Sequence, residues 1–184
     1  MTDPAIRCAG LGKAYGSVPA LTGVDLTVRT GEIFGLVGEN GAGKTTLIKC
    51  LLDFCEIGQG SVEIHGVPNE MVRSRAILAY LPERFNPPHY LTGEDFLRYM
   101  AHLHGQRYVA AAVAATIQRL DLAAEALRRP ARAYSKGMAQ KLALAACLLS
   151  GKRLFILDEP ASGLDPRARA LLKEELRSLR QQGA

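Results

Sequence analysis

Nine consecutive residues, 38–46, have the types and spacing of a loop that binds phosphate groups. They are Gly38, Glu39, Asn40, Gly41, Ala42, Gly43, Lys44, Thr45 and Thr46. Glycines let a backbone adopt positive φ and bring its N–H groups against phosphate oxygens, and a helix beginning near Lys44 adds the positive end of its dipole. Lys44 can reach the β- and γ-phosphates of a nucleotide, and the Thr45 hydroxyl can bind Mg²⁺. We therefore predict a nucleotide and Mg²⁺ site here, with a chance glycine-rich turn as the alternative.

Two adjacent acidic residues, Asp158 and Glu159, follow the apolar run 154–157. If that run is a central strand, both carboxylates lie at its carboxyl end, where α/β proteins bind ligands. Asp158 is then placed to hold Mg²⁺ through water, and Glu159 to orient or deprotonate an attacking water. The alternative is a plain turn before Pro160. The presence of the phosphate loop in the same chain favours the catalytic interpretation.

A third segment, "YSKGMAQK" at 134–141, begins a helix with two unfavourable residues. Ser135 is a good N-cap, but Gly137 costs about 1 kcal/mol relative to alanine. Lys136 places a positive charge at the positive end of the helix dipole, which costs ~0.3–1 kcal/mol. Bare N–H groups and a nearby cation suit an anion. We predict that an anion meets this helix start.

These residues need an α/β framework to position them. β-like segments occur at 6–9, 24–28, 33–37, 61–65, 77–81 and 154–157. The runs 33–37 and 154–157 are continuously apolar, as is typical of strands buried on both faces of a parallel sheet. Helical patterns occur at 47–52, from Thr92 onward, at 109–120 and after Ser135. We predict a nucleotide-binding α/β core formed by 1–86 and 151–184, interrupted by a helical subdomain at 87–150.

The bulk composition is that of an ordinary globular protein. The chain has 184 residues, 48% of them hydrophobic and 22% charged, with a net charge of +5 and no long run of like charge. Charge therefore favours no class of partner. The four cysteines, Cys8, Cys50, Cys55 and Cys147, have no zinc-like spacing, and we expect buried reduced thiols. With no secretory signal and no apolar run of 18 residues, we expect a soluble chain that meets a membrane only through a partner.

Taken in order, the motifs resemble the nucleotide-binding subunit of ATP-binding cassette (ABC) transporters. The resemblance rests on Tyr15, the phosphate loop, "LPE" at 81–83, "YSKGMAQK", "LFILDEP" at 154–160 and "SGLDP" at 162–166. It implies a P-loop NTPase (RecA-like) α/β core with N-terminal antiparallel β elements and an α-helical insert, here lacking the family's C-terminal strands. "YSKGM" and "LPE" look more like bacterial exporters, and the implied function is an ATPase subunit that energises transport.

The resemblance also implies roles for individual residues. Tyr15 matches the aromatic that stacks on adenine. Glu83 stands where most members have a glutamine that senses Mg²⁺ and the attacking water, so it joins Lys44 and Glu159 as a catalytic candidate and Thr45 and Asp158 as a metal ligand. Two further sets match family segments: the signature segment Ser135, Lys136, Gly137 and Met138, and the D-loop Ser162, Gly163, Leu164 and Asp165.

The signature segment departs from the commonest pattern, Leu-Ser-Gly-Gly-Gln. Tyr134 replaces the Leu, Lys136 the first Gly and Met138 the Gln, while Ser135 and Gly137 are retained. In the family this segment contacts the γ-phosphate of ATP held by another subunit. The D-loop crosses to that subunit, although a simple strand-to-helix turn explains its composition equally well.

The implied partners are ATP, Mg²⁺, a second nucleotide-binding subunit in a head-to-tail dimer, and an integral membrane permease, with no nucleic acid. The implied location is cytoplasmic, peripheral to the cytoplasmic face of the inner or cell membrane. Permease contact is expected around 83–91, where Phe85 and Tyr90 lie, and through the helix that carries Phe96 and Met100. For Phe96 and Met100, on the following helix, internal packing is the favoured alternative.

The family has a histidine on a strand after the helix that follows "SGLDP", and this sequence ends in that helix. His65, His89, His102 and His104 lie far upstream and are expected at the surface or in packing. We therefore expect ATP binding with weak or absent hydrolysis, and an incomplete sheet that promotes association. Alternatives are a non-catalytic nucleotide-binding regulator, a soluble cassette acting on nucleic acid or ribosomes, and a small-molecule kinase.

Overall fold

The computed structural model describes residues 4–184 and divides them into two units, 4–78 with 180–184, and 79–179. The first unit is built on a four-stranded antiparallel sheet in the order β2-β1-β3-β4. Its strands are β1 (Pro4–Tyr15), β2 (Val18–Arg29), β3 (Gln59–Ile64) and β4 (Val67–Pro68), and its helices are α1 (Lys44–Leu51) and α2 (Val72–Arg75). The predicted N-terminal antiparallel elements are thus confirmed.

The sheet of the first unit forms because alternate residues of its strands are apolar. Ile6 of β1 lies between Val28 of β2 and Ile64 of β3, and all three side chains are buried. Gly10 has a φ of +56°, and the register shifts between Cys8 and Leu11. Such a bulge bends a strand without exposing its apolar face, and Leu11 remains fully buried.

The predicted strand at 33–37 is wrong. The segment is not in a strand, and no strand of the described residues 4–184 pairs with it. Its apolar side chains are open to solvent, with Val37 93% exposed and Phe34 44% exposed. A strand needs a neighbour for its backbone N–H and C=O groups, and an apolar run alone does not supply one. Residues 33–37 are therefore an exposed apolar segment just before the phosphate loop.

The second unit contains α3 (Gly93–Leu103), α4 (Ala110–Arg119), α5 (Lys136–Leu148) and α6 (Pro166–Gln181), with two short 3-10 turns before α5. Strands β5 (Leu78–Leu81) and β6 (Leu154–Leu157) form a two-stranded sheet, and the Asp158 N–H donates to the Leu81 carbonyl over 2.9 Å. Ile156 of β6 is buried, and Phe155 and Leu157 are partly buried against the core of the second unit, so the expected burial of β6 is met on one face and in part on the other.

Helix α5 forms the centre of the second unit. Leu142, Leu144 and Ala145 are essentially inaccessible to solvent, and they belong to one cluster with Phe96 and Ile117. Its alanines let neighbouring helices approach closely. Phe96 is buried, Phe85 meets it edge-on with ring centroids 5.3 Å apart, and Met100 packs against the same cluster. Internal packing of Phe96 and Met100, the favoured alternative, is confirmed.

The cysteines are free thiols, and three of them are buried. Burial raises the pKa of Cys8 to about 11 and that of Cys147 to about 12. Cys50, whose sulfur lies 3.6 Å from that of Cys55, has its pKa raised to about 12 by burial and by Cys55. These groups are protonated at neutral pH, as expected of structural thiols. No helix within residues 4–184 combines the length and apolar character needed to cross a membrane.

Candidate functional site

The phosphate loop ends at the helix start predicted for it. Helix α1 begins at Lys44, and Gly43 is its N-cap residue with a φ of +87°. Gly41 also has positive φ, at +86°. A Cβ on Gly43 would lie 2.6 Å from the Ala20 carbonyl oxygen of β2, so glycine is required there for packing as well as for loop shape. The loop therefore presents the N-terminus of α1 together with glycine backbone in the positive-φ conformation that it requires.

Lys44 closes the loop on itself. Its ammonium donates to the carbonyl oxygens of Gly38 over 2.6 Å and Glu39 over 2.8 Å. The Ala42 N–H donates to the Glu39 carbonyl over 3.2 Å, which tightens the turn. Thr45 is exposed in the first turn of α1. The loop thus holds a cation at its centre and an accessible hydroxyl beside it, a donor set that fits a phosphate chain and Mg²⁺.

The carboxylates of Asp158 and Glu159 follow β6 directly. Glu159 is exposed and has a φ of +50°. This conformation costs a residue with a side chain ~1–3 kcal/mol, and residues that adopt it are found most often at functional sites. Burial raises the pKa of the Tyr80 phenol, and the charges of Asp158 and Glu83 raise it further. The second unit therefore brings Asp158 and Glu83 near the same phenol. Glu83 is half exposed, and its carboxylate lies 3.9 Å from Arg84.

The signature segment starts α5 as predicted. The Ser135 hydroxyl accepts the Met138 N–H over 3.2 Å and caps the helix. Tyr134, which replaces the usual leucine, donates its hydroxyl to the Ala126 carbonyl over 2.6 Å, and burial raises its pKa. Met138 packs against the core of the second unit. The helix start is thus fixed on both sides of Ser135.

The D-loop leads from the carboxylates into α6. Leu164 is buried in the core cluster, while Asp165 accepts the Ala168 N–H over 2.8 Å and caps α6. This backbone hydrogen bond, aided by the charge of Lys141, lowers the pKa of Asp165. Asp165 therefore acts in the structure as a helix cap, and Leu164 anchors the loop.

The structure joins the signature segment to the D-loop. The Lys136 ammonium donates to the Ser162 hydroxyl over 2.9 Å, and a Cβ on Gly137 would lie 2.7 Å from the Gly163 carbonyl oxygen. Gly137 is therefore required by a close backbone approach within this chain, a reason that the anion hypothesis did not include. Lys136 has a partner and is not a free cation at the helix start.

Sequence reasoning missed two buried polar residues on α5. Gln140 donates to the Pro160 carbonyl over 3.2 Å, and Lys141 donates to the Asp121 carbonyl over 2.7 Å while approaching the Asp165 carboxylate at 3.9 Å. The sequence did offer a signal for their burial, namely a glutamine and a lysine within a helix rich in alanine and leucine. Residues of these types are seldom buried unless they are paired.

Tyr15 lies at the end of β1, beside the two-residue turn into β2. Its ring is 49% exposed, and the Lys13 ammonium lies 5.4 Å from the ring centroid. A half-exposed ring offers surface for stacking. The histidines lie away from the buried core: His65, His89 and His102 are exposed, and His104 is half-buried with its pKa lowered by burial and by Lys152. No cluster of metal-binding residues occurs in the described part of the chain, 4–184.

Comparison with known protein families matches residues 21–162 to the ABC transporter model. The chain is 38% identical to the daunorubicin resistance ATP-binding protein DrrA3 of Streptomyces coeruleorubidus, over 97% of this chain and 58% of that protein. It is 37% identical to the Nod factor export ATP-binding protein I of Rhizobium meliloti, over 97% of this chain and 54% of that protein. The chain thus spans a little over half the length of these curated relatives.

Solved structures share the fold of the chain at lower sequence identity. A putative ABC transporter ATP-binding protein of Pyrococcus furiosus superposes with a TM-score of 0.86 at 26% identity, covering 97% of this chain and 87% of that one. A structure described as an ATP-binding subunit of an ABC transporter gives 0.84 at 31% identity, covering 98% and 76%. A dimeric bacterial ABC transporter cassette gives 0.85 at 19% identity, covering 96% and 83%, and this match shows the fold alone.

Proposed function

The chain belongs to the ABC transporter family, and from this premise we propose that it is the ATP-binding part of a subunit that hydrolyses ATP to drive a membrane permease. The supporting observation is the closed phosphate loop, in which the Lys44 ammonium already sits on two loop carbonyls. Phosphate oxygens are stronger partners for an ammonium than neutral carbonyls. Lys44 can therefore exchange its loop contacts for a nucleotide without leaving the loop.

The remaining residues divide the chemistry among them. Thr45, Asp158 and Glu83 each carry oxygen atoms of the kind that Mg²⁺ prefers as ligands, and Mg²⁺ when bound would screen the phosphate charge. Glu159 is exposed directly beside Asp158 and accepts the proton of an attacking water. Tyr15 offers its exposed face to adenine.

The signature segment and the D-loop serve a second copy in a head-to-tail dimer. The Ser135 hydroxyl and the N–H groups of the first turn of α5 would meet the γ-phosphate of ATP bound by that copy. The support within this chain is that Lys136, next to Ser135, donates to the Ser162 hydroxyl, so the signature segment and the D-loop share one surface. Residues 1–86 with 151–184 form the nucleotide-binding core in this proposal, and residues 87–150 the helical subdomain.

The permease partner is an integral membrane exporter, and the subunit works at the cytoplasmic face of the membrane. Two relatives are named for daunorubicin resistance and for Nod factor export, which supports an exporter. Tyr90 is 83% exposed within the expected docking region, whereas the Phe85 ring packs edge-on against Phe96. Tyr90→Ala should lower co-purification with the permease, and Phe54→Ala, which truncates an exposed aromatic residue outside the expected docking region, is the matched control.

Hydrolysis by this chain alone should be weak. Residues 33–37, which lead into the phosphate loop, have no strand partner in the described chain, so no sheet hydrogen bonds fix the segment that enters the loop. Turnover of this chain is expected well below about 1 per second. A rate above that value, abolished by Glu159→Gln, would overturn this expectation.

Nucleotide binding tests the proposal most directly. Lys44→Ala should weaken binding of a fluorescent ATP analogue by about tenfold or more, since it removes a charge-assisted contact. Lys49→Ala removes an equal charge from the exposed side of the same helix and should leave affinity unchanged. Equal losses in both variants would show that only net charge matters and would refute the site.

Pairing of two copies is tested by a change in the signature segment. Ser135→Arg should leave the nucleotide affinity of a single copy intact while blocking ATP-dependent dimers measured by light scattering. If Ser135→Arg lowers nucleotide affinity as much as pairing, the segment serves its own copy and the head-to-tail arrangement is refuted.

A further inference from the structure

Lys136 occupies a position where the family's commonest pattern has glycine, and its side chain has a defined partner. Lys136 is exposed, so burial does not force its conformation. Nevertheless its ammonium lies 2.9 Å from the Ser162 hydroxyl, twenty-six positions away. A hydrogen bond with a charged donor is stronger than a neutral one, and this one spans the signature segment and the D-loop.

The stem of Lys136 also contacts the D-loop. A Cβ built on Gly163 would lie 3.0 Å from Lys136 Cγ and 3.2 Å from Cδ. Gly163 itself has a φ of +74°, which favours glycine. The lysine therefore lies along a bare stretch of backbone, and any side chain at 163 would displace it.

Other contacts hold the start of α5 against residues 160–165. The first turn of α5 approaches the Gly163 carbonyl through Gly137, Gln140 donates to the Pro160 carbonyl, and Lys141 approaches Asp165. These three contacts are made to backbone carbonyls or to the helix cap Asp165. The Lys136–Ser162 hydrogen bond is the side-chain contact at the exposed edge, next to the Ser135 cap.

We propose that Lys136 is a positioning residue that fastens Ser162 and the D-loop to the first turn of α5, so that both segments meet a second copy as one body. This inference rests on the proposed function, because the joint surface matters only if a second copy binds there. An ammonium has three donors, and the Ser162 hydroxyl takes one of them. Lys136 thus acts through the D-loop rather than as the direct anion contact.

Amide hydrogen exchange of the full chain tests the link without requiring ATP or a partner. The Ser162 and Leu164 N–H groups, bonded to the Glu159 and Ala161 carbonyls, are the reporters. Lys136→Met keeps the stem and removes the charge, and it should speed reporter exchange by about three- to tenfold. Lys136→Arg keeps a donor and should retain slow exchange.

A double-mutant comparison isolates the pair. Ser162→Ala should speed exchange of the Leu164 reporter as much as Lys136→Met does, and the double variant should be no faster than either. Exchange in the phosphate loop should stay constant in every variant. Unchanged exchange in Lys136→Met, or additive effects in the double variant, would overturn the proposal.

A functional measurement separates this proposal from the broader one. Lys136→Met should weaken ATP-dependent pairing of the chain, measured by light scattering, about tenfold or more with little change in ATP affinity, because the contacts that bind ATP lie in the phosphate loop. If the wild type binds no ATP, the proposed function fails while the exchange result still reports on the link. Faster exchange with unchanged pairing would overturn the positioning role.

Discussion

Replacement of Gly137 by alanine tests the close contact between the signature segment and the D-loop. The sign of the change in the free energy of unfolding is the result that decides. In an open helix, alanine would stabilise the protein by about 1 kcal/mol relative to glycine. Here the new Cβ would lie 2.7 Å from the Gly163 carbonyl oxygen, which must retreat by about 0.7 Å to reach ordinary contact near 3.4 Å. That retreat is opposed because Leu164 is buried in the core and Ser162 is hydrogen-bonded to Lys136.

The magnitude follows from these two opposing contributions. Forcing an extra carbon into a packed contact costs ~1–3 kcal/mol, and the gain in helix propensity offsets about 1 kcal/mol. We therefore expect Gly137→Ala to lower the free energy of unfolding by about 0–2 kcal/mol.

Urea unfolding followed by circular dichroism gives the free energy of unfolding for each variant. Ala112→Gly is the matched control, because Ala112 is exposed on α4 of the same unit. It should destabilise the protein by about 1 kcal/mol and so calibrate the propensity difference. If Gly137→Ala stabilises the protein by the amount that the control loses, the close approach to Gly163 is absent and the reasoning is refuted.

Three further changes test other parts of the structure. Thr92→Ala removes the hydroxyl that caps α3 and should cost about 1 kcal/mol in urea unfolding, while Thr92→Ser should cost little; equal losses would contradict the cap. Gly43→Ala should destabilise the nucleotide-free protein by about 1–3 kcal/mol, because its φ is +87° and its Cβ would meet the Ala20 carbonyl; loss of ATP binding with unchanged stability would contradict this. Because the pKa of Asp165 is lowered in the fold, chiefly by the Ala168 N–H, its contribution to stability is present above its ordinary pKa and lost as pH falls through the lowered native value. Asp165→Asn should flatten the pH dependence of stability below about pH 4, and an unchanged slope would contradict it.

Structural elements that depend on residues adjacent in the sequence could be predicted. Thr92 and Ser135 cap their helices as their types and positions indicate, and α1 begins at Lys44 directly after the glycines. Capping and glycine-rich turns depend on a few adjacent residues, so the sequence carries them directly. The antiparallel strands were also recognisable, although their full lengths were not.

The failed strand at 33–37 shows where pattern alone misleads. Its apolar run predicted burial, but pairing requires a second strand, and none of the strands in residues 4–184 provides one. The same limit applies to Glu159, whose positive φ could not be inferred from an Asp-Glu pair. Hydrophobicity favours the burial of a segment but does not specify which strand pairs with it.

The sequence by itself determined the phosphate loop, the acidic pair after β6, the helix caps and membership in the ABC transporter family, because each depends on residues close together along the chain. The tertiary structure alone decided that Gly137 meets Gly163 and that the Lys136 ammonium reaches Ser162. Those partners lie twenty-six positions apart. Their meeting depends on how the core of the second unit packs α5 against the loop after β6, and a one-dimensional pattern does not specify such a distance.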